Sequence, residues 1–170
     1  MATSTHCGRV AGAAAALALA LGACGGDDPE PVVAADVPRR FEHAGDGVVR
    51  DASTRLDWTR TEAGPGVEWQ AADLHCRSLE LDARTGWRLP EIDELSALYD
   101  ESQEQSCGDG PPCRLDAAFE LSLPFVWSAT QGQGKRRFYI DFRFGTRLTP
   151  LPRPGLTRRV LCVRQDGDSE

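Results

Sequence analysis

The chain has 170 residues, of which 41% are hydrophobic, and this length suits one folded domain with a sizeable core. Its formal net charge of -7 argues against general binding to nucleic acid, which requires a positively charged surface. The chain has only three histidines and no paired Cys-x-x-Cys spacing, so no zinc site, other metal or cofactor is predicted.

The N-terminal segment carries signals for export. Arg9 precedes an apolar run, residues 10–21, that is too short for a permanent membrane helix and is typical of a signal peptide. The run leads into LGAC, residues 21–24, which resembles the bacterial lipobox. Residues 1–23 are therefore predicted to be a lipoprotein signal peptide, and Cys24 is predicted to carry the lipid that anchors the chain to a membrane. An ordinary secretory signal beside an unrelated cysteine is the alternative.

Residues 24–40 are rich in glycine, proline and acidic side chains, and this composition predicts a flexible tether. A folded domain is predicted at residues 41–165, followed by an acidic tail at residues 166–170. Removal of the signal peptide would remove one charge, Arg9, and leave 18 basic and 26 acidic side chains. Gly25 stands where an aspartate retains some lipoproteins at the inner membrane, so the outer membrane is the expected destination.

The folded domain begins with β-strand and helix signals. Residues 45–51 and 55–59 are short β-favouring runs, and the turn residues 52–54 between them predict a hairpin. A helix is predicted next, at residues 68–79, because its apolar side chains recur at helical spacing. These side chains are Trp69, Ala72, Cys76 and Leu79.

A second helix is predicted to begin within TGWRLPEIDEL, residues 85–95. Pro90 fits the first helical position, and the acids that follow it would lie at the positive end of the helix dipole. Arg88 is predicted to form a partly buried ion pair that orders the preceding loop. The predicted buried stripe consists of Ile92, Leu95 and either Leu98 or Tyr99.

The last third of the domain is predicted to return to strands. Residues 125–129 form one candidate, residues 137–144 alternate with period two, and residues 159–164 supply a final strand. In the alternating segment, Phe138, Ile140, Phe142 and Phe144 are predicted to be buried, and Arg137, Tyr139, Asp141 and Arg143 lie on the opposite face. Strands, two helices and further strands predict an α+β fold.

Four cysteines remain for this domain when Cys7 and Cys24 are set aside, and an even number in an exported chain predicts disulfide bonds. Three pairings are possible. A bond between Cys107 and Cys113 is favoured because these residues bracket a turn-rich segment. The remaining bond, between Cys76 and Cys162, would connect the first helix to the last strand.

Four separated segments carry a family resemblance. They are DGVVRDASTRLDW at 46–58, WRLP at 87–90, WSAT at 127–130 and RVLCVR at 159–164. In this order they resemble the C-terminal domain of the Legionella collagen-like adhesin. The resemblance implies a C-type-lectin-like fold, related to sulfatase-modifying-factor domains, with two helices packed on twisted antiparallel sheets. Lectin-like domains join the first helix to the final strand by a long disulfide, which implies the pairing of Cys76 with Cys162.

The residues give little indication of catalysis. The segment that begins at Trp127 lacks the acids with which lectins of this class coordinate calcium, and formylglycine-generating relatives need two reactive cysteines where this chain has only Cys162. His75 lies near Ser78 on the first predicted helix, but no third member of a triad is evident. No catalytic residue is predicted. The four tryptophans are interpreted as core residues, with an aromatic ligand platform as the alternative.

Basic residues are concentrated near the end of the chain. Residues 24–134 contain 9 basic and 22 acidic side chains, whereas residues 135–164 contain 9 basic side chains and one acid, Asp141. Arginine presents a planar fork that fits sulfate and carboxylate groups. The predicted ligand-binding residues are Lys135, Arg136, Arg137, Tyr139, Arg143, Arg147 and Arg158, and Arg153 and Arg159 extend the patch. Pairing of these arginines with the acidic first part of the same domain is the alternative.

The sequence therefore predicts an envelope-anchored lipoprotein with a noncatalytic binding or adhesion module. Its expected partners are the membrane, through the lipid on Cys24, and an anionic or sulfated glycan or an acidic envelope protein. Two other hypotheses stay open. One is a scaffold that joins proteins of an envelope complex, and the other is a diverged enzyme of the modifying-factor type, which would need a free reactive thiol.

Overall fold

The computed structural model describes residues 39–167. The predicted signal peptide, Cys24 and nearly all of the predicted tether lie outside the described residues, as does part of the acidic tail. Within residues 39–167, the structure has an α+β fold, as predicted, and none of its helices is long and apolar enough to cross a membrane. Its elements are β1 (Phe41–Gly45), β2 (Val48–Asp51), β3 (Leu56–Thr59), α1 (Trp69–Ser78), α2 (Ile92–Ser96), β4 (Phe125–Gln131), β5 (Arg137–Asp141), β6 (Thr146–Leu148) and β7 (Val163–Gln165).

The first sheet is antiparallel, with the strand order β1-β2-β3-β7. The predicted hairpin is confirmed as β2 and β3, whereas β1 was not predicted. The predicted last strand, residues 159–164, is wrong in its extent. At the start of this segment, the Arg159 N–H donates a hydrogen bond to the Phe125 carbonyl of β4 at 2.8 Å. Only the end of the segment pairs with β3. This segment therefore connects the two sheets.

The second sheet has the order β4-β5-β6. The prediction of one strand over residues 137–144 is wrong at its end, because β5 stops at Asp141 and a turn leads into β6. The carboxylate of Asp141 accepts hydrogen bonds from the backbone and the guanidinium of Arg143, which stabilises the turn. Phe144, predicted to be buried, lies in this turn and is 60% exposed. Tyr139 is only 8% exposed, so the face expected to be polar is covered.

The helix α1 confirms the first helix prediction to within one residue at each end, and it buries Ala72 and Cys76. The second helix begins later than predicted. Pro90 precedes the helix N-cap instead of occupying the first helical position, because Glu91 is the N-cap and forms a capping box with Glu94. The other details of the prediction are confirmed, since Ile92, Leu95 and Leu98 are buried. Arg88 donates two hydrogen bonds to the Glu94 carboxylate, at 2.8 and 2.6 Å.

Three of the four tryptophans belong to the core. Trp58 packs in the cluster that contains Phe119 and Ile140, and Trp87 and Trp127 pack in a second cluster around Cys76 and Val160. All three tryptophan side chains are almost fully buried. Trp69, at the start of α1, is only partly buried and is therefore the one tryptophan among residues 39–167 that is substantially accessible to a ligand.

Both predicted disulfides are present in the structure. Cys76 is bonded to Cys162, with their Cα atoms 5.4 Å apart, and Cys107 is bonded to Cys113, with their Cα atoms 5.8 Å apart. The first bond fixes α1 to the segment that leads into β7. None of the four cysteines within the described part of the chain is a free thiol, which removes the feature that the modifying-factor hypothesis required.

Asp51 ends β2, and its buried carboxylate forms an ion pair with the partly exposed Arg40, which predicts a pH-dependent stability. Its side chain is 1% exposed and lies 2.7 Å from Arg40. Burial raises the pKa of the Asp51 carboxyl, but hydrogen bonds from Arg40 and Ser53 outweigh burial and lower this pKa to about 2. In the unfolded chain the same carboxyl has its ordinary value of 3.8. The folded state therefore gains stability above this value and loses it as the pH falls toward 2.

We expect the variant Asp51→Asn to lack this contribution, which is roughly 2 kcal/mol at neutral pH. Urea unfolding at a series of pH values between about 7 and about 2 measures it. The free energy of unfolding of the wild type should fall more steeply below about pH 4 than that of Asp51→Asn. Asp46→Asn, at an exposed turn residue, is the matched control and should follow the wild type. Parallel curves for wild type and Asp51→Asn would contradict the assignment.

Candidate functional site: a basic cleft beside Trp69

A cleft of about 700 Å³ lies between the start of α1, the β4–β5 turn and the segment 150–156. This volume is within the range of sites for small ligands and short segments of polymers. The cleft combines apolar walls with charged side chains. Its apolar lining includes Trp69, Trp127, Leu156 and three prolines, and its charged lining consists of Glu68, Lys135, Arg137 and Arg153.

Trp69 and Arg137 contact each other in the cleft lining. The guanidinium of Arg137 lies over the indole ring, 4.1 Å from the ring centroid. The indole is itself fixed, because Trp69 Nε1 donates a hydrogen bond to the Ser128 carbonyl at 2.7 Å. Such cation–π contacts are worth about 0.5 to 2 kcal/mol. Trp69 therefore orients the Arg137 guanidinium without neutralising its charge.

The proline-rich segment forms the wall that faces these residues. Pro150, Pro152 and Pro154 line the cleft, whereas Leu151 between them is exposed. The segment is attached to α1 at its end, where the Gly155 N–H donates to a carboxylate oxygen of Glu68 at 2.7 Å. Proline restricts the backbone, so this wall is stiff for a segment that has no strand or helix.

The electrostatic character of the cleft is positive. Lys135, Arg137 and Arg153 line it, and none of the three forms a salt bridge with another of the described residues. Glu68 is the acid of the cleft lining. The N-terminus of α1 also opens here, and no side chain caps it, so the helix dipole adds to the positive field.

The other predicted ligand-binding arginines pair with acids of the same domain. Arg143 lies 2.7 Å from Asp141, and Arg147 lies 2.5 Å from Asp93. The hydrogen bond to Asp141 raises the pKa of the Arg143 guanidinium. Arg159, which extended the predicted patch, lies 3.2 Å from Glu62. For these three arginines the alternative of internal pairing describes the structure.

Arg158 and Tyr139 also have a structural role. The Arg158 guanidinium lies against three aromatic rings, 4.4 Å from the centroid of Tyr139, 5.1 Å from that of Phe125 and 5.9 Å from that of Trp127. Arg158 thus covers one side of the second core cluster. Arg136 is partly buried, lies outside the cleft lining and forms no salt bridge within residues 39–167.

The cleft therefore contains two of the predicted ligand-binding residues, Lys135 and Arg137, together with Arg153 from the wider patch. The sequence analysis did not predict the contribution of Glu68 or of the proline-rich segment, and it gave a ligand-facing role for Trp69 only within the alternative of an aromatic platform. The sequence pattern that could have indicated this wall is the alternation of Pro150, Pro152 and Pro154 directly after the basic strands. The contribution of α1 had no signal in the sequence, because it depends on how α1 packs against β4.

The described residues do not assemble a recognisable catalytic or metal site. Residues 39–167 contain no group of three or more His, Cys, Asp or Glu side chains that could hold a metal ion. Ser78, which lies near His75 in the sequence, donates its hydroxyl to the backbone carbonyls of Leu74 and His75. Its hydroxyl is thus engaged in the helix rather than with the imidazole.

The fold and the cleft define a disulfide-bonded α+β domain with a basic, partly aromatic binding cleft. Residues 47–164 match the sequence profile of the Lcl C-terminal domain. The match covers more than half of the chain, and the chain belongs to the Lcl C-terminal domain family. No curated protein and no solved structure matches the chain significantly. Membership of this family indicates an adhesin-like module, and the family is not known for enzymatic activity.

Proposed function

We propose that this protein is an envelope-anchored, noncatalytic adhesin-like module that binds anionic glycans or envelope polymers in the cleft beside Trp69. The observation that carries the proposal is the set of three cleft cations, Lys135, Arg137 and Arg153, which have no acidic partner among the described residues. An anionic ligand would neutralise them, whereas Arg143, Arg147 and Arg159 are already paired with acids of the domain.

The walls of the cleft support a sugar as the ligand. A sugar ring has apolar C–H faces and polar edges, so it suits a site with proline and tryptophan walls and a few convergent charges. The proposal places the lipid anchor on Cys24, in the outer membrane, so that the domain faces polymers of the envelope. It also assigns the domain a C-type-lectin-like fold, which is supported by two helices packed with two antiparallel sheets and by the Cys76–Cys162 bond.

Binding to a general polyanion tests this proposal. We expect the purified full-length chain to be retained on heparin-agarose at low salt and to elute as salt rises, because exposed charge pairs are screened. The double variant Lys135→Ala/Arg153→Ala should bind heparin about tenfold more weakly, which corresponds to about 0.7 kcal/mol for each exposed ionic contact.

The matched control removes the same number of positive charges elsewhere. Arg60 and Arg77 are exposed and pair with Glu120 and Asp73, away from the cleft lining. The variant Arg60→Ala/Arg77→Ala should keep the heparin affinity of the wild type within about twofold. Equal losses in the two double variants would show that net charge, and not the cleft, determines retention. Absence of retention of the wild type at low salt would contradict the proposed function itself.

A further inference from the structure

We infer that the cleft is a selective site for carboxylated sugars, with Arg137 as the residue that clamps the sugar carboxylate. This inference rests on the proposed function, and it adds the chemical class of the ligand and the residue that selects it. Its basis is the stacked geometry of Arg137 on Trp69.

Stacking leaves the hydrogen-bonding edge of Arg137 available. A guanidinium that lies on a ring uses its flat face for the contact, while its N–H groups point outward in the plane. Nη1 of Arg137 is shielded from solvent and has no hydrogen-bond partner among the described residues, so an acceptor in the cleft does not reach this atom. Nε and Nη2 are not shielded in this way, and together they form a two-donor fork. The side chain presents a fixed fork to an acceptor that enters the cleft.

A carboxylate fits this fork better than a sulfate ester. Its two oxygens are coplanar and accept two parallel N–H hydrogen bonds from one guanidinium. The three oxygens of a sulfate ester are arranged around a tetrahedral centre, share one charge and are weaker acceptors. Lysine would provide a point charge without this geometry, so the selectivity should depend on arginine at position 137.

Glu68 provides a second reason for this selectivity. Its carboxylate lies in the cleft lining and holds the Gly155 N–H at 2.7 Å, which fixes it close to the ligand space. A densely sulfated chain would bring several negative charges against Glu68. A uronic acid polymer carries one charge on each sugar, and its hydroxyl groups can donate to the Glu68 oxygens. The cleft therefore suits a sparsely charged acidic sugar.

Direct binding measurements with the full-length chain test the inference. The probes are an oligogalacturonate, in which every sugar carries a carboxylate, a dextran sulfate of the same length, and neutral dextran. We expect the wild type to bind the oligogalacturonate at least about tenfold more tightly than the dextran sulfate, and not to bind neutral dextran. The variant Arg137→Lys should lose about tenfold for the oligogalacturonate and less than about twofold for the dextran sulfate.

The control variant Arg136→Lys makes the same chemical change one residue earlier, outside the cleft, and should leave both affinities unchanged. Retained binding of dextran sulfate by Arg137→Lys shows that the variant is folded. The inference is overturned if Arg137→Lys binds the oligogalacturonate within twofold of the wild type. It is also overturned if this variant loses affinity equally for both polymers. Binding of dextran sulfate alone by the wild type also overturns it and leaves the proposed function intact, whereas binding of neither polymer contradicts both.

Discussion

Loss of the Cys76–Cys162 disulfide is expected to lower the free energy of unfolding by about 4 to 5 kcal/mol. The two cysteines are 86 residues apart, and the bond between them restricts the unfolded chain strongly, because it closes a long loop. Both cysteines are almost fully buried, so the folded state cannot easily compensate for the loss. Urea unfolding of the variant Cys76→Ser/Cys162→Ser, compared with the wild type, measures the effect.

The second disulfide is the natural control for this prediction. Cys107 and Cys113 are only 6 residues apart, and the same loop-entropy relation gives about 2 kcal/mol for their bond. The variant Cys107→Ser/Cys113→Ser should therefore be the more stable of the two double variants. The opposite order would show that local strain or packing, and not the length of the closed loop, determines the contribution of each bond.

Truncation of Phe119 should have an effect of similar size, about 3 to 5 kcal/mol for Phe119→Ala. This side chain is fully buried and contacts two other rings edge to face, with its centroid 5.2 Å from that of Phe41 and 6.4 Å from that of Trp58. It thereby joins the edge strand β1 to the centre of the core. Thermal and urea unfolding monitored by tryptophan fluorescence would measure the loss, since Trp58 reports on this cluster directly.

Phe144→Ala is the matched control, because the same atoms are removed from a ring that is 60% exposed. Phe144 contacts the Arg143 guanidinium, 5.3 Å from the ring centroid, so its removal should cost no more than about 1 kcal/mol. Similar losses in Phe119→Ala and Phe144→Ala would contradict the packing described for this domain. The comparison also tests whether Phe144 is exposed, as the structure shows, or buried, as the alternating sequence pattern predicts.

Local patterns predicted the elements whose structure depends on near neighbours. The hairpin of β2 and β3 follows from β-favouring runs beside a short turn, and α1 follows from apolar side chains at helical spacing. The strand β1 was missed because FEHAG, residues 41–45, has no clear alternation, and its conformation depends on pairing with β2. Phe144 was placed wrongly because a period-two pattern cannot show where a turn interrupts it.

The candidate site depended more strongly on tertiary structure. The sequence showed that basic residues are concentrated after residue 134, and it left open whether they bind a ligand or pair with the acids of the domain. The structure divides them between these two roles. Arg147 pairs with Asp93, 54 residues earlier, whereas Arg137 stacks on Trp69 and keeps its charge available.

The sequence by itself determined the predicted export signal, the number of cysteines, the two helices, the hairpin and the concentration of positive charge, because each of these is encoded within a short segment. Only the tertiary structure decided which cations are neutralised and which surround a cleft. The physical reason is that an ion pair acts over a few ångströms, and the residues that meet at that distance come from distant parts of the chain. The cleft is formed by three such segments, around Trp69, Arg137 and Arg153.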